Sequence, residues 1–121
     1  MQTDIVDRTF EFALQIVALT PLLRQSDEGR VIGKQLLRSG TSVGANVEEA
    51  ESASSKDDFI YRMNVALREA RETHYWLRLI KGSGLAKADQ LDGLIAEADE
   101  LRRILGAIVS SSRGRRKRGG A

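Results

Sequence analysis

The chain has 121 residues, with 19 basic and 17 acidic side chains, one proline, no cysteine, three Phe, two Tyr and one Trp. That length suits one domain with one core, and the absence of cysteine excludes a disulfide framework and a thiolate metal site. No stretch approaches the 18 or so apolar residues that a spanning helix needs, and the mixed, acidic start from Met1 to Arg8 lacks a secretory pattern, so a cytoplasmic protein in a reducing compartment is expected.

The first helix is predicted from about Asp4 to Arg24, capped by Thr3 or Asp4, with Asp7 favourable to the dipole of the opening turns. Val6, Phe10, Ala13, Leu14 and Val17 recur at spacings of three and four and predict its buried stripe. Pro21 cannot donate to residue 17, so a kink or an early finish is expected there.

Ser26-Asp27-Glu28 caps a second helix predicted to run to about Ala53, with Val31, Ile32, Leu36, Val43, Val47 and Ala50 facing inward. Its middle, Ser39-Gly40-Thr41-Ser42-Val43-Gly44-Ala45-Asn46, is poor in helix propensity, because each glycine costs about 1 kcal/mol relative to alanine. Such a segment needs tertiary support. Gly40 and Gly44, four apart, form a strip of small residues where another helix can come close, either within the bundle or from a neighbouring subunit. Asn46 needs a hydrogen-bond partner if buried, and a nearby backbone carbonyl is the expected one.

After the turn Ser54-Ser55-Lys56-Asp57, a third helix is predicted from Asp57 to Lys81, carrying Phe59, Ile60, Met63, Ala66, Leu67, Ala70, Trp76, Leu77 and Ile80 at helical spacing. Gly82-Ser83-Gly84 ends it. A fourth helix, from about Ala86 or Lys87 to Ser110, displays Leu91, Leu94, Ile95, Ala98, Leu101, Leu105 and Ile108. Four amphipathic helices joined by short connections make an all-α, antiparallel up-and-down four-helix bundle the expected fold over residues 1–110. Residues 111–121 lack apolar side chains to bury and are expected to be a disordered basic tail.

Charge is distributed unevenly. Arg113, Arg115, Arg116, Lys117 and Arg118 are five of the 19 basic residues, which leaves 14 basic against 17 acidic in the rest of the chain. Five cations on a flexible arm displace counterions from a phosphate backbone, a form of binding that is steep in salt and tolerant of sequence; the alternative is a tail that only solubilises. On the third helix Arg68 and Glu72 stand at i,i+4 in a run of mixed charge, which reads either as a solvated face of exchanging ion pairs or as part of a phosphate-binding surface. In the second reading Arg71, Arg78 and Lys81 join Arg30, Lys34 and Arg38 of the second helix in a shallow basic field.

Catalytic chemistry finds no motif. A carboxylate-bridged metal site in a bundle uses Glu-x-x-His, but the residue three before His74, the single histidine, is Arg71. No nucleophile-elbow sequence is present, and Gly29 to Gly33 lacks the Lys-Ser/Thr of a phosphate loop. His74 is read as structural, and neither a cofactor nor a metal is expected.

Leu37-Arg38-Ser39-Gly40-Thr41-Ser42-Val43-Gly44-Ala45-Asn46-Val47-Glu48-Glu49-Ala50 and the segment Ala66 to Ile80, Ala-Leu-Arg-Glu-Ala-Arg-Glu-Thr-His-Tyr-Trp-Leu-Arg-Leu-Ile, resemble the two signature segments of bacterial four-helix-bundle proteins encoded in 23S rRNA intervening sequences. The resemblance extends over residues 5–110 and implies a ring-shaped homopentamer without established enzymatic activity. Through a distant relative, the accessory variability protein of diversity-generating retroelements, it also implies nucleic acid or a reverse transcriptase as partner. Many members carry Pro where this chain has Gly44, so a kink at that point is not carried over.

Overall fold

A computed structural model of the chain describes residues 2–120, and the side chains of residues 4–114. Helix α1 spans Gln2–Leu19, a 3-10 turn follows over Thr20–Leu23, and α2 spans Asp27–Glu51, α3 Lys56–Ser83 and α4 Ala88–Gly120. The described residues contain no strand. The fold is all-α, a four-helix bundle, and none of the helices is long and apolar enough to cross a membrane among the described residues.

Local chemistry sets the boundaries. Pro21 stands at the start of the 3-10 turn, so α1 stops at Leu19 as the missing donor requires. Ser26 caps α2 by accepting from the Gly29 amide, and Ser55 caps α3 by accepting from the Asp58 amide, each at 3.0 Å. Gly84 adopts the left-handed conformation, φ 75°, that closes α3 without a Cβ penalty.

Neighbours in sequence are neighbours in space: α2 packs extensively on α1 and α3, and α3 on α4, whereas α1 touches α4 only thinly. Leu36, Val43, Val47, Met63, Ala66, Leu77, Ile80, Leu91, Leu101 and Leu105 fill the centre. On the thin seam a cleft of about 420 Å³ remains between Leu19 and Leu22 on one side and Gln90, Gly93 and Leu94 on the other. The bidentate ion pair of Arg8 with Glu97, at 2.7 and 3.0 Å, ties α1 to α4.

Three sequence expectations are corrected. The face that α1 buries is Ile5, Thr9, Phe12, Ile16 and Leu19, whereas Phe10, Leu14 and Val17 of the expected stripe are 56%, 50% and 50% exposed. Apolar residues run round most of this helix, so two registers satisfy its periodicity; shape complementarity to α2 selects one. Val31 of α2 is also exposed, and Gly29 and Gly33 take the inward positions beside it. Finally, α4 runs beyond Ser110, and Ser112 is fully buried, because it continues the stripe of Leu105 and Val109 with a side chain small enough to fit.

Candidate nucleic-acid interface

The glycine strip is an internal seam. A Cβ at Gly40 would lie 2.9 Å from Ile16, and one at Gly44 would lie 3.2 Å from the Thr9 carbonyl oxygen, so both glycines admit α1 against α2. Asn46 donates to the Ser42 carbonyl at 2.9 Å, the local backbone bond expected of it. On the other side of α2, the buried Thr73 hydroxyl donates to the Glu69 carbonyl at 2.7 Å and lies 2.9 Å from the Ser39 hydroxyl. That pair locks α2 to α3 without charge.

Just outside this seam, Arg38 of α2 reaches across to α3 and pairs with both Glu69, at 3.1 Å, and Glu72. Glu72 also accepts from the Trp76 indole at 2.9 Å. Both carboxylates are thereby drawn toward α2. The expected i,i+4 pair of Arg68 with Glu72 is not formed, and among the described residues Arg68 and Arg71 have no carboxylate within 4.0 Å.

The basic field expected to join α2 and α3 therefore divides. Arg38 serves as the clamp on α3. Arg30 pairs with Asp27, donates to the Arg24 carbonyl at 3.1 Å, and with Lys34 and Arg24 lines a separate cleft of about 300 Å³ beside the 3-10 turn. Lys81 is paired with Asp92 at 2.7 Å, which takes it out of the set of unpaired cations. Arg78 stands over the Tyr75 ring, 6.0 Å from its centroid, an arrangement that leaves its charge uncompensated by any described carboxylate.

What remains is one outward face of α3. Tyr61, Arg68 and Tyr75 recur every seven residues, with Arg71 and Arg78 alongside, and all five are exposed. At the Tyr61 end the face meets the basic end of α4: Asp57, Ile60, Tyr61, Asn64 and Arg113 line a cleft of about 320 Å³. Arg113 is the first of the five terminal cations, and the structure places it beside Tyr61, about two turns of α3 from Arg68. Arg115, Arg116, Lys117 and Arg118 lie outside the residues whose side chains are described.

His74 is half-buried between α3 and α4. Burial, and then the neighbouring Arg78, push its pKa below the ordinary 6.5, against the opposing pull of Asp99, while Arg102 adds to the lowering. Asp99 is held below the usual carboxylate value chiefly by its hydrogen bond from Arg102, at 2.8 Å, with Arg103 3.0 Å away on its other oxygen. No group of three or more His, Cys, Asp or Glu side chains among the described residues could hold a metal.

Sequence reasoning missed the role of Arg38 and the two tyrosines. The signal for the tyrosines was present, since a seven-residue spacing keeps residues 61, 68 and 75 on one side of a helix. The signal for Arg38 was not, because Arg68 with Glu72 is as good a pair by sequence distance as Arg38 with Glu72 is in space.

The chain matches the family model described as 23S rRNA-intervening sequence protein over residues 1–107. Among solved structures it is similar to a protein of unknown function from the S23 ribosomal protein family of Bacteroides thetaiotaomicron, at 41% identity and a TM-score of 0.81, covering 87% of this chain and 97% of that one. Comparison with curated proteins gives no match.

Proposed function

Because the chain belongs to the 23S rRNA-intervening sequence protein family, we propose that it works as its bundle surface dictates, as a non-catalytic, self-associating module that binds RNA. The observation that carries this reading is the exposed row of Arg68, Arg71 and Arg78 on α3, which no described carboxylate neutralises and which leads to Arg113 at the basic end of α4. Unpaired guanidinium groups on a rigid helix keep their full attraction for phosphate, and each that contacts one releases counterions. Four further cations, Arg115, Arg116, Lys117 and Arg118, follow Arg113 in the sequence.

Self-association rests on Phe10, Leu14 and Val17, a stripe on the outer face of α1 that the bundle leaves uncovered. Large apolar side chains contiguous on a rigid face favour burial against another surface. A second copy brings the matching stripe and multiplies the arginine rows, which raises avidity for a long RNA.

The test is fluorescence anisotropy with a labelled structured RNA across a salt series. The chain truncated after Gly114, which leaves the buried Ser112 in place, and the triple variant Arg68→Gln, Arg71→Gln, Arg78→Gln are each expected to bind at least about ten-fold more weakly with a shallower salt slope. Unchanged affinity in both would overturn the reading.

A further inference from the structure

Both tyrosines of the chain stand on the exposed arginine face of α3, although six aromatic side chains besides histidine are all it has with which to build a core. Tyr61 is 60% exposed and Tyr75 49%. Each is flanked by a guanidinium, Arg62 at 5.6 Å from the Tyr61 centroid and Arg78 at 6.0 Å from that of Tyr75, and Tyr75 is braced edge-on by Trp76 at 5.1 Å. From Tyr61 to Arg78 the row extends about 26 Å along the helix. Aromatic rings alternating with unpaired arginines are the combination that holds a flexible polynucleotide: rings stack bases of any sequence, and cations follow the backbone.

We propose that this face of α3 is a track for single-stranded RNA, with Tyr61 and Tyr75 stacking unpaired bases, Arg68 and Arg71 holding the phosphates between them and Arg78 the phosphate beyond Tyr75. The proposal rests on the RNA-binding reading above and narrows it. A duplex keeps its bases stacked on one another and offers the tyrosines nothing to stack on, whereas loops and single strands present free base faces. The cleft of about 320 Å³ lined by Asp57, Ile60, Tyr61, Asn64 and Arg113 provides one base with an aromatic wall and with polar groups, the Asp57 carboxylate among them, that suit the base edge rather than a phosphate. At this end the strand meets Arg113 of α4.

The experiment uses the full chain and a fluorescein-labelled single-stranded oligoadenylate of roughly 12 nucleotides. Tyr61→Leu and Tyr75→Leu each weaken binding by about 5- to 100-fold, while Tyr61→Phe and Tyr75→Phe stay within about two-fold of the parent, because stacking needs the ring and not the hydroxyl. The leucine variants leave the salt slope unchanged, since they remove no phosphate contact. Trp76, the single tryptophan and edge-on to Tyr75, changes its emission when the oligonucleotide binds. Leucine variants that bind like the parent, or an RNA duplex that competes as well as the single strand, would overturn the track while leaving RNA binding intact. Leucine variants that lose oligomer mass in light scattering but keep RNA affinity would make this face a subunit contact instead. A parent chain that binds no RNA at low salt overturns the broader reading together with this one.

Discussion

Gly40 lies directly beneath Ile16, so close that a methyl group at its Cα would stand 2.9 Å from both Cγ1 and Cγ2 of the isoleucine. Ile16 is fully buried, and a β-branched side chain on a helix has essentially one χ1 rotamer, so it cannot swing aside. Gly40→Ala is therefore expected to lower stability by about 1–3 kcal/mol despite the better helix propensity of alanine. Gly93, in α4 with no atom within 4 Å of a built Cβ, gives the opposite sign: Gly93→Ala is expected to raise stability by about 0.4–1 kcal/mol. Urea denaturation of the two variants beside the parent decides between these signs.

On the proposed RNA-binding reading, Arg38 acts through the α3 glutamates and not by touching RNA. Its removal frees Glu69 and Glu72, which it now holds, and Glu72, left with the Trp76 indole alone, then stands one turn from Arg68. Arg38→Ala is expected to weaken RNA binding by about two- to five-fold and to cost about 0.5–1 kcal/mol in stability, the range of a partly exposed ion-pair cluster. The triple variant Arg38→Ala, Glu69→Gln, Glu72→Gln should restore the affinity but not the stability. Anisotropy titrations at one fixed low salt concentration read the first effect, and thermal melting the second.

The depressed pKa of His74 makes the fold sensitive to mild acid. Below the ordinary value of 6.5 the unfolded chain binds a proton that the folded chain resists, so stability rises with pH across that window and falls as the solution is acidified through it. His74→Gln should flatten this slope. Asp99 acts in the same direction at lower pH, since its carboxylate is held below 3.8 by Arg102 and loses that stabilisation when protonated. Urea midpoints measured from neutral pH downward would show the difference, and a parent and His74→Gln pair with parallel profiles would contradict it.

The apolar stripe of α1 gives a prediction about mass. Leu14→Glu places a charge at the middle of the stripe, where the side chain is 50% exposed in the isolated bundle. It is expected to leave the helical signal and the subunit's stability within about 0.5 kcal/mol of the parent, as substitutions at exposed positions do, while reducing the particle mass seen by light scattering to that of one chain. An oligomer that withstands the change would place the subunit contact on another face.

The helices themselves were legible in the sequence. Ser26, Ser55 and Gly84 mark their ends through local hydrogen bonds and backbone freedom, Pro21 ends α1 by a missing donor, and the stripes of α3 and α4 are marked out because polar residues fill most of the remaining positions. These are properties of a residue and its near neighbours along the chain. Family membership was legible on the same terms, since the segments around Gly40 and Trp76 are contiguous.

Only the tertiary structure decided which face of α1 turns inward and which arginines keep their charge. Helix α1 is apolar round most of its surface, so periodicity alone allows Phe10, Leu14 and Val17 to be buried; the bare backbone at Gly40 and Gly44 fits Ile16 and Thr9 instead and turns that stripe outward. Likewise each glutamate of α3 has a choice between a partner on its own helix and one on α2. The antiparallel packing that brings Arg38 alongside settles that choice, and it leaves Arg68, Arg71 and Arg78 of α3 facing solvent beside two tyrosines. Both outcomes depend on contacts between residues far apart in the chain, which no pattern read along a single helix contains.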